Sequence, residues 1–273
     1  MSTIIANQRL DVWVDEQLAK GQYSFSLDKL REIFAGQSDT ALKFALKRLT
    51  DKGKILSVYK GYYIIIPAQY LHKGIIPPTM FLDAFMKELK RPYYIGLLNA
   101  AAFYGASHQQ PQEFFVITSF PVLRPMVKKG LIINYISVRN FPDQLLEKRK
   151  TEAGYINISN PGLTATDLIQ FEKRIGGINR AATVINELSE TMTSADFDVI
   201  LLSNTPVTAL QRLGYLLEFA CENQKLANAL YDIVFSAGLK LYRIPLKASG
   251  KVAGFSSDNR WQVIVNTAID IDE

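Results

Sequence analysis

Cysteine is nearly absent from this sequence: Cys221 stands alone among 273 residues, which excludes an internal disulfide and any metal site built from several thiolates. Histidine is almost as scarce. His72 and His108 lie far apart and neither falls in a ligand spacing such as H-E-x-x-H, so each reads as a surface or structural residue. Glycine-rich phosphate loops are missing too: there is no P-loop, no G-x-G-x-x-G and no G-x-S-x-G, and Gly176-Gly177 reads as a helix break. No stretch approaches the roughly 20 apolar residues that a membrane-spanning helix needs, and the first ten residues lack the apolar core of a secretion signal. No internal repeat or low-complexity segment stands out. These absences lead us to expect a cytoplasmic protein with no membrane partner, no cofactor, no metal and no enzymatic activity.

What is present is an ordinary globular composition, 48% hydrophobic and 21% charged, at a length that favours two domains, each with room for a core. The net charge is +5, and its distribution says more than its size. Residues 38–67 hold Lys43, Lys47, Arg48, Lys52, Lys54 and Lys60 against Asp39 and Asp51, a net +4 in one short stretch. Positive charge gathered in this way suits a nucleic-acid partner. Cys221 closes the apolar helical run 213–221 and is expected to be buried and inert.

Along the amino-terminal segment, Leu10, Val12, Trp13, Val14 and Leu18 alternate with charged residues and predict a first helix ending at Lys20-Gly21. A short Tyr23-Ser24-Phe25 segment follows. Ser26 then caps a second helix carrying Leu27, Leu30, Ile33 and Phe34, which Gly36 ends. Ser38 or Asp39 starts a third helix to about Lys52, with Leu42, Ala45, Leu46 and Leu49 on its inward stripe. Its outer face gathers Thr40, Lys43, Phe44 and Lys47, with Arg48 on one flank. After Gly53, residues 54–59 and 62–66 read as strands joined by a two-residue Lys60-Gly61 loop, a hairpin with a lysine at its tip.

That order of elements predicts a winged helix-turn-helix, whose third helix enters the major groove of double-stranded DNA while the wing reaches the flanking backbone. Ser38, Asp39, Thr40, Lys43 and Lys47 are the candidates for base edges and phosphates. Arg48, Lys54 and Lys60 are the candidates for the backbone. Phe44 either meets a thymine methyl group or packs against the wing or the second domain.

Pro67 closes the wing, and Gly74-Ile75-Ile76-Pro77-Pro78 supplies the turn residues expected between domains, so the boundaries read as 1–67 and 75–273. The second part mixes helices at 80–89, 97–104, 179–190, 207–221 and 226–237 with strands at 113–118, 132–138, 239–244 and 261–265. An α+β class follows: a winged helix-turn-helix and then a larger mixed α/β domain. Asn160-Pro161 has the form of an N-cap with proline at the first helical position, while Thr164 and Asp167 have capping-box spacing. Capping accounts for Asp167. A rival reading makes Asp167 and Glu113 metal ligands of a DNA-acting enzyme.

The segments Tyr93-Tyr94-Ile95-Gly96-Leu97-Leu98-Asn99-Ala100-Ala101-Ala102-Phe103-Tyr104-Gly105, Phe114-Phe115-Val116-Ile117-Thr118 and Ile158-Ser159-Asn160-Pro161-Gly162-Leu163-Thr164-Ala165-Thr166-Asp167-Leu168 resemble the AbiEi family of bacterial antitoxin regulators. The resemblance implies an antitoxin of a type IV toxin–antitoxin, or abortive-infection, system. Such a protein represses its own operon through the winged helix, binding its operator, and its carboxy-terminal domain counters a nucleotidyltransferase toxin. Direct contact with that toxin, and cooperative or dimeric binding on DNA, stay open. The alternatives are a one-component regulator whose second domain senses a small ligand, the metal-dependent enzyme above, and a winged helix that binds only protein.

Overall fold

Leu10, Trp13 and Val14 recur at helical spacing, and the computed structural model, which describes residues 9–106 and 111–271, buries all three on helix α1 (Leu10–Ala19). Residues 1–8, which carry most of the expectation about a secretion signal, and His108 lie outside the described residues. A short strand β1 (Ser24–Ser26) leads into α2 (Leu27–Ile33), where the Ser26 hydroxyl accepts the Lys29 amide at 3.2 Å as the N-cap. Helix α3 (Asp39–Asp51) follows a short turn, and strands β2 (Ile55–Tyr59) and β3 (Tyr62–Ile65) complete a three-stranded antiparallel sheet in the order β1-β3-β2. Tyr59 faces Tyr62 across a two-residue turn in which Gly61 takes φ +71°, a conformation that costs a residue without Cβ little. Trp13 lies edge-on to Phe25 and Phe34 at 5.3 and 6.1 Å, and Leu30, Leu42, Leu46, Leu49, Ile55 and Ile65 close the core around them.

Helix α4 (Leu82–Glu88), preceded by a 3-10 turn at Pro78–Met80, starts slightly later than the sequence predicts. The chain continues through β4 (Tyr93–Ile95), α5 (Leu97–Phe103), β5 (Glu113–Ser119), β6 (Met126–Lys128), β7 (Leu131–Val138), β8 (Leu146–Thr151) and β9 (Gly154–Ser159). The six strands form one sheet in the order β6-β7-β5-β4-β9-β8. Within it β6 and β7 are an antiparallel hairpin, and β4 runs parallel to β9 with Ile95 opposite Ile158. The sequence predicts β5 and β7 but not β4, β6, β8 and β9.

The remaining elements are α6 (Pro161–Gln170), α7 (Ile178–Ser189), α8 (Val199–Asn204), α9 (Val207–Tyr215), α10 (Gln224–Ser236) and the short parallel pair β10 (Ile244–Pro245) and β11 (Val263–Ile264). The long helix expected at 207–221 changes at Leu216–Ala220 into a π-helical turn, and the strand expected at 239–244 is irregular until Ile244. Cys221 is only partly buried, a correction to its expected position, although burial pushes its thiol up to about 12. The described chain is a mixed α+β protein. It divides into two compact units, one gathering the described residues up to Tyr93 with Gln112–Ser137 and Lys148–Asn157, the other taking the rest.

Candidate nucleic-acid interface

Helix α3 owes its position to its buried stripe. Leu42, Leu46 and Leu49 are 1–4% exposed, and the Ser38 hydroxyl accepts the Ala41 amide at 3.2 Å, so the helix start is fixed by a side-chain cap. Burying that stripe forces Thr40, Phe44 and Lys47 outward, and all three are exposed. Phe44 is 65% exposed, so packing against the hairpin in the same unit does not explain it.

Two grooves flank this crest. On the hairpin side, a groove of about 470 Å³ is lined by Arg31, Lys43, Lys60, Tyr59, Tyr62 and Phe85, among others. The hairpin is fixed there by aromatic contacts, since Phe85 of α4 lies 5.4 Å from the Tyr59 ring and 5.0 Å from that of Tyr62. Burial raises the Tyr62 phenol to about 12, and its hydroxyl is 2.7 Å from that of Ser24, so it serves as a neutral structural group. Lys43 and Lys60, from separate elements, thus come to one groove. On the opposite flank, a groove of about 510 Å³ is lined by Arg9, Asp11, Gln37, Arg48 and Lys52.

Besides Ser38, which caps α3, two of the expected contact residues are otherwise engaged. Asp39 receives two hydrogen bonds from Arg31, at 3.0 and 2.8 Å, and Arg31 also binds Asp28 at 2.9 Å. The Arg31 hydrogen bonds hold the Asp39 carboxyl below the usual carboxylate range, with Lys43 adding a smaller attraction. Lys54 pairs with Asp15 of α1 at 3.1 Å, away from both grooves. The sequence reading missed Arg31 and Arg9 altogether and counted Lys52 only as charge. Lys52 was accessible, because it follows Arg48 by four residues and shares its helix face.

The profile of the AbiEi antitoxin C-terminal domain family matches residues 94–219. The fold is also similar to the crystal structure of the RV2827C protein from Mycobacterium tuberculosis, with a TM-score of 0.66 and 15% identity over 96% of this chain and 94% of that one. No curated protein matches the sequence.

Within the matched segment, Asn160, Thr164 and Asp167 have partners inside the fold. Asn160 caps α6, accepting the Leu163 amide at 2.8 Å, and Pro161 takes the first helical position as expected. Thr164 and Asp167 do not form the expected capping box, because both lie inside α6, whose residues Pro161 to Ile169 are all buried. The Thr164 hydroxyl bonds back to the Asn160 carbonyl at 2.8 Å, and Asp167 accepts a hydrogen bond from the Tyr94 phenol at 2.9 Å. Burial pushes the Asp167 carboxyl up to about 7, against a smaller lowering by Tyr94. Gly162 lies so close to the Asp196 carbonyl that a Cβ would meet it at 2.3 Å. Glu113 is engaged by Asn134. Among the described residues no three His, Cys, Asp or Glu side chains gather as a metal site, and no helix is long and apolar enough to cross a membrane.

Proposed function

We propose that this protein is a bifunctional antitoxin: residues 1–67 act as a winged helix-turn-helix that binds the operator of its own operon, and residues 75–273 counter a nucleotidyltransferase toxin in the cytoplasm. The antitoxin half rests on the AbiEi family match at residues 94–219. For the DNA half, the observation that carries the reading is the crest of α3, where Thr40, Phe44 and Lys47 stand in solvent with cation-lined grooves on either side. Helix, strand, helix, helix and a two-stranded wing, in that order, support the same reading. Thr40, Phe44 and Lys47 are the base-facing set, and Lys43, Arg48 and Lys60 hold the backbone. Ser38 and Asp39 contribute by starting α3 and by anchoring it to Arg31, and Lys54 by its tie to α1.

Fluorescence anisotropy with the duplex upstream of the coding sequence, beside an unrelated duplex of equal length, tests this. Preferential binding that weakens steeply with salt is the expected result. Absence of binding to either duplex at low salt would refute the DNA half and leave the segment a protein-interaction module.

A further inference from the structure

The two grooves beside α3 differ in one respect that bears on how a duplex would sit. Lys43 and Arg48 are five residues apart, which places them about 140° apart around the helix axis. Lys43 therefore serves the hairpin-side groove with Lys60, while Arg48 and Lys52, one turn apart, serve the other with Arg9. An α-helix with its side chains is about 10–12 Å across and the major groove of B-DNA about 12 Å wide, so a helix seated there has one phosphate backbone on each side.

We infer that α3 is clamped between the two strands of one duplex, with Lys43 and Lys60 on phosphates of one strand and Arg48, Lys52 and Arg9 on phosphates of the other. The inference rests on the DNA-binding reading above and adds Lys52 and Arg9 to the interface. Charge favours the second groove. There Arg9, Arg48 and Lys52 meet only Asp11, which Arg9 already holds at 2.7 Å, and neither Arg48 nor Lys52 makes an ion pair among the described residues. In the hairpin-side groove Arg31, Lys43 and Lys60 share the space with Asp28 and Glu88, and Arg31 is divided between two carboxylates, Asp28 and Asp39, whereas Arg9 pairs with one. The Arg48–Lys52 side therefore supplies the stronger phosphate grip, and the hairpin side chiefly fixes orientation.

Phosphate-ethylation interference on each labelled strand of the upstream duplex, with the wild type, Lys52→Ala and Lys60→Ala, tests the assignment. Both substituted lysines are exposed, and a thermal melt of each variant checks that the fold is retained. Wild-type protein should show interference on both strands. Lys52→Ala should lose it on one strand and Lys60→Ala on the other, each lowering the salt slope by about one. Loss on the same strand in both variants, or an unchanged pattern in Lys52→Ala, would overturn the two-strand clamp while leaving DNA binding in place. A wild-type protein with no preference for the upstream duplex would instead remove the reading beneath it.

Discussion

Asp167 is a carboxylic acid buried in the centre of α6 that accepts a hydrogen bond from Tyr94. Its spacing from Thr164 suggests a helix cap, but a spacing cannot say that α6 is covered on every side, and total burial turns a would-be cap into an interior group. Its folded pKa of about 7 lies above the ordinary 3.8, so the native state holds the proton more tightly than the unfolded chain does. The stability this contributes is complete below about pH 4 and is lost as the pH rises through about 7, to a total on the order of 4 kcal/mol at 1.36 kcal/mol per pH unit. Denaturant unfolding of the wild type and Asp167→Asn from pH 4 to 8 should show the wild type losing stability relative to the variant as pH rises. A difference that stays flat across that range would show that Asp167 is not held protonated. Phe44 is the opposite case, since the sequence put it on the outer face of α3 and it is 65% exposed there. Phe44→Ala should leave unfolding stability within about 0.5 kcal/mol. It should weaken binding to the upstream duplex by about 1–3 kcal/mol, with the loss reproduced when a contacted thymine is replaced by uracil.

At the scale of elements, α9 and the π-helical turn after it show how a local irregularity serves packing. The π turn carries Glu218, which accepts the Trp261 indole N–H at 2.7 Å and pairs with Arg260 at 2.9 Å, while Arg260 lies 4.4 Å from the Tyr231 ring centre. The fully buried Trp261 ring occupies the space beside Gly214, where a Cβ would come within 2.2 Å of it. Gly214→Ala should therefore destabilise the protein despite alanine's better helix propensity, and Trp261→Ala should cost about 3–5 kcal/mol in denaturant unfolding. A more stable Gly214→Ala variant would contradict this packing. Elements with strong periodicity were legible in the sequence: α3 from Leu42, Leu46 and Leu49, α7 from its apolar stripe, and β5 from its aromatic and β-branched run. Others were not. Strand β8, Leu146–Thr151, reads Leu-Glu-Lys-Arg-Lys-Thr with no residue fully buried, so its strand character comes from sheet pairing rather than from its own pattern. The two grooves beside α3 escaped for a related reason, because Arg9 and Arg31 join them only through tertiary folding, whereas the α3 face could be computed from spacing alone.

For the whole molecule, the proposed function divides labour along the chain: α3 and the hairpin for DNA, residues 75–273 for the toxin. Substituting Lys43 and Lys47 together by alanine should then abolish repression of a reporter driven by the upstream DNA yet leave protection against a co-expressed toxin intact. Loss of both together in a variant that still folds would mean that the two activities share a surface. Whether the crest and flanks of α3 hold DNA is decided by the salt dependence of binding to the upstream duplex for the wild type beside Lys43→Ala/Lys47→Ala. A steep wild-type slope is expected, falling by about one in the double variant, because Lys43 is removed from a phosphate while Lys47 faces a base, with affinity for the upstream duplex lowered further by the loss of Lys47. An unchanged slope and affinity in a folded double variant would contradict it, and would place any DNA contact elsewhere on the protein.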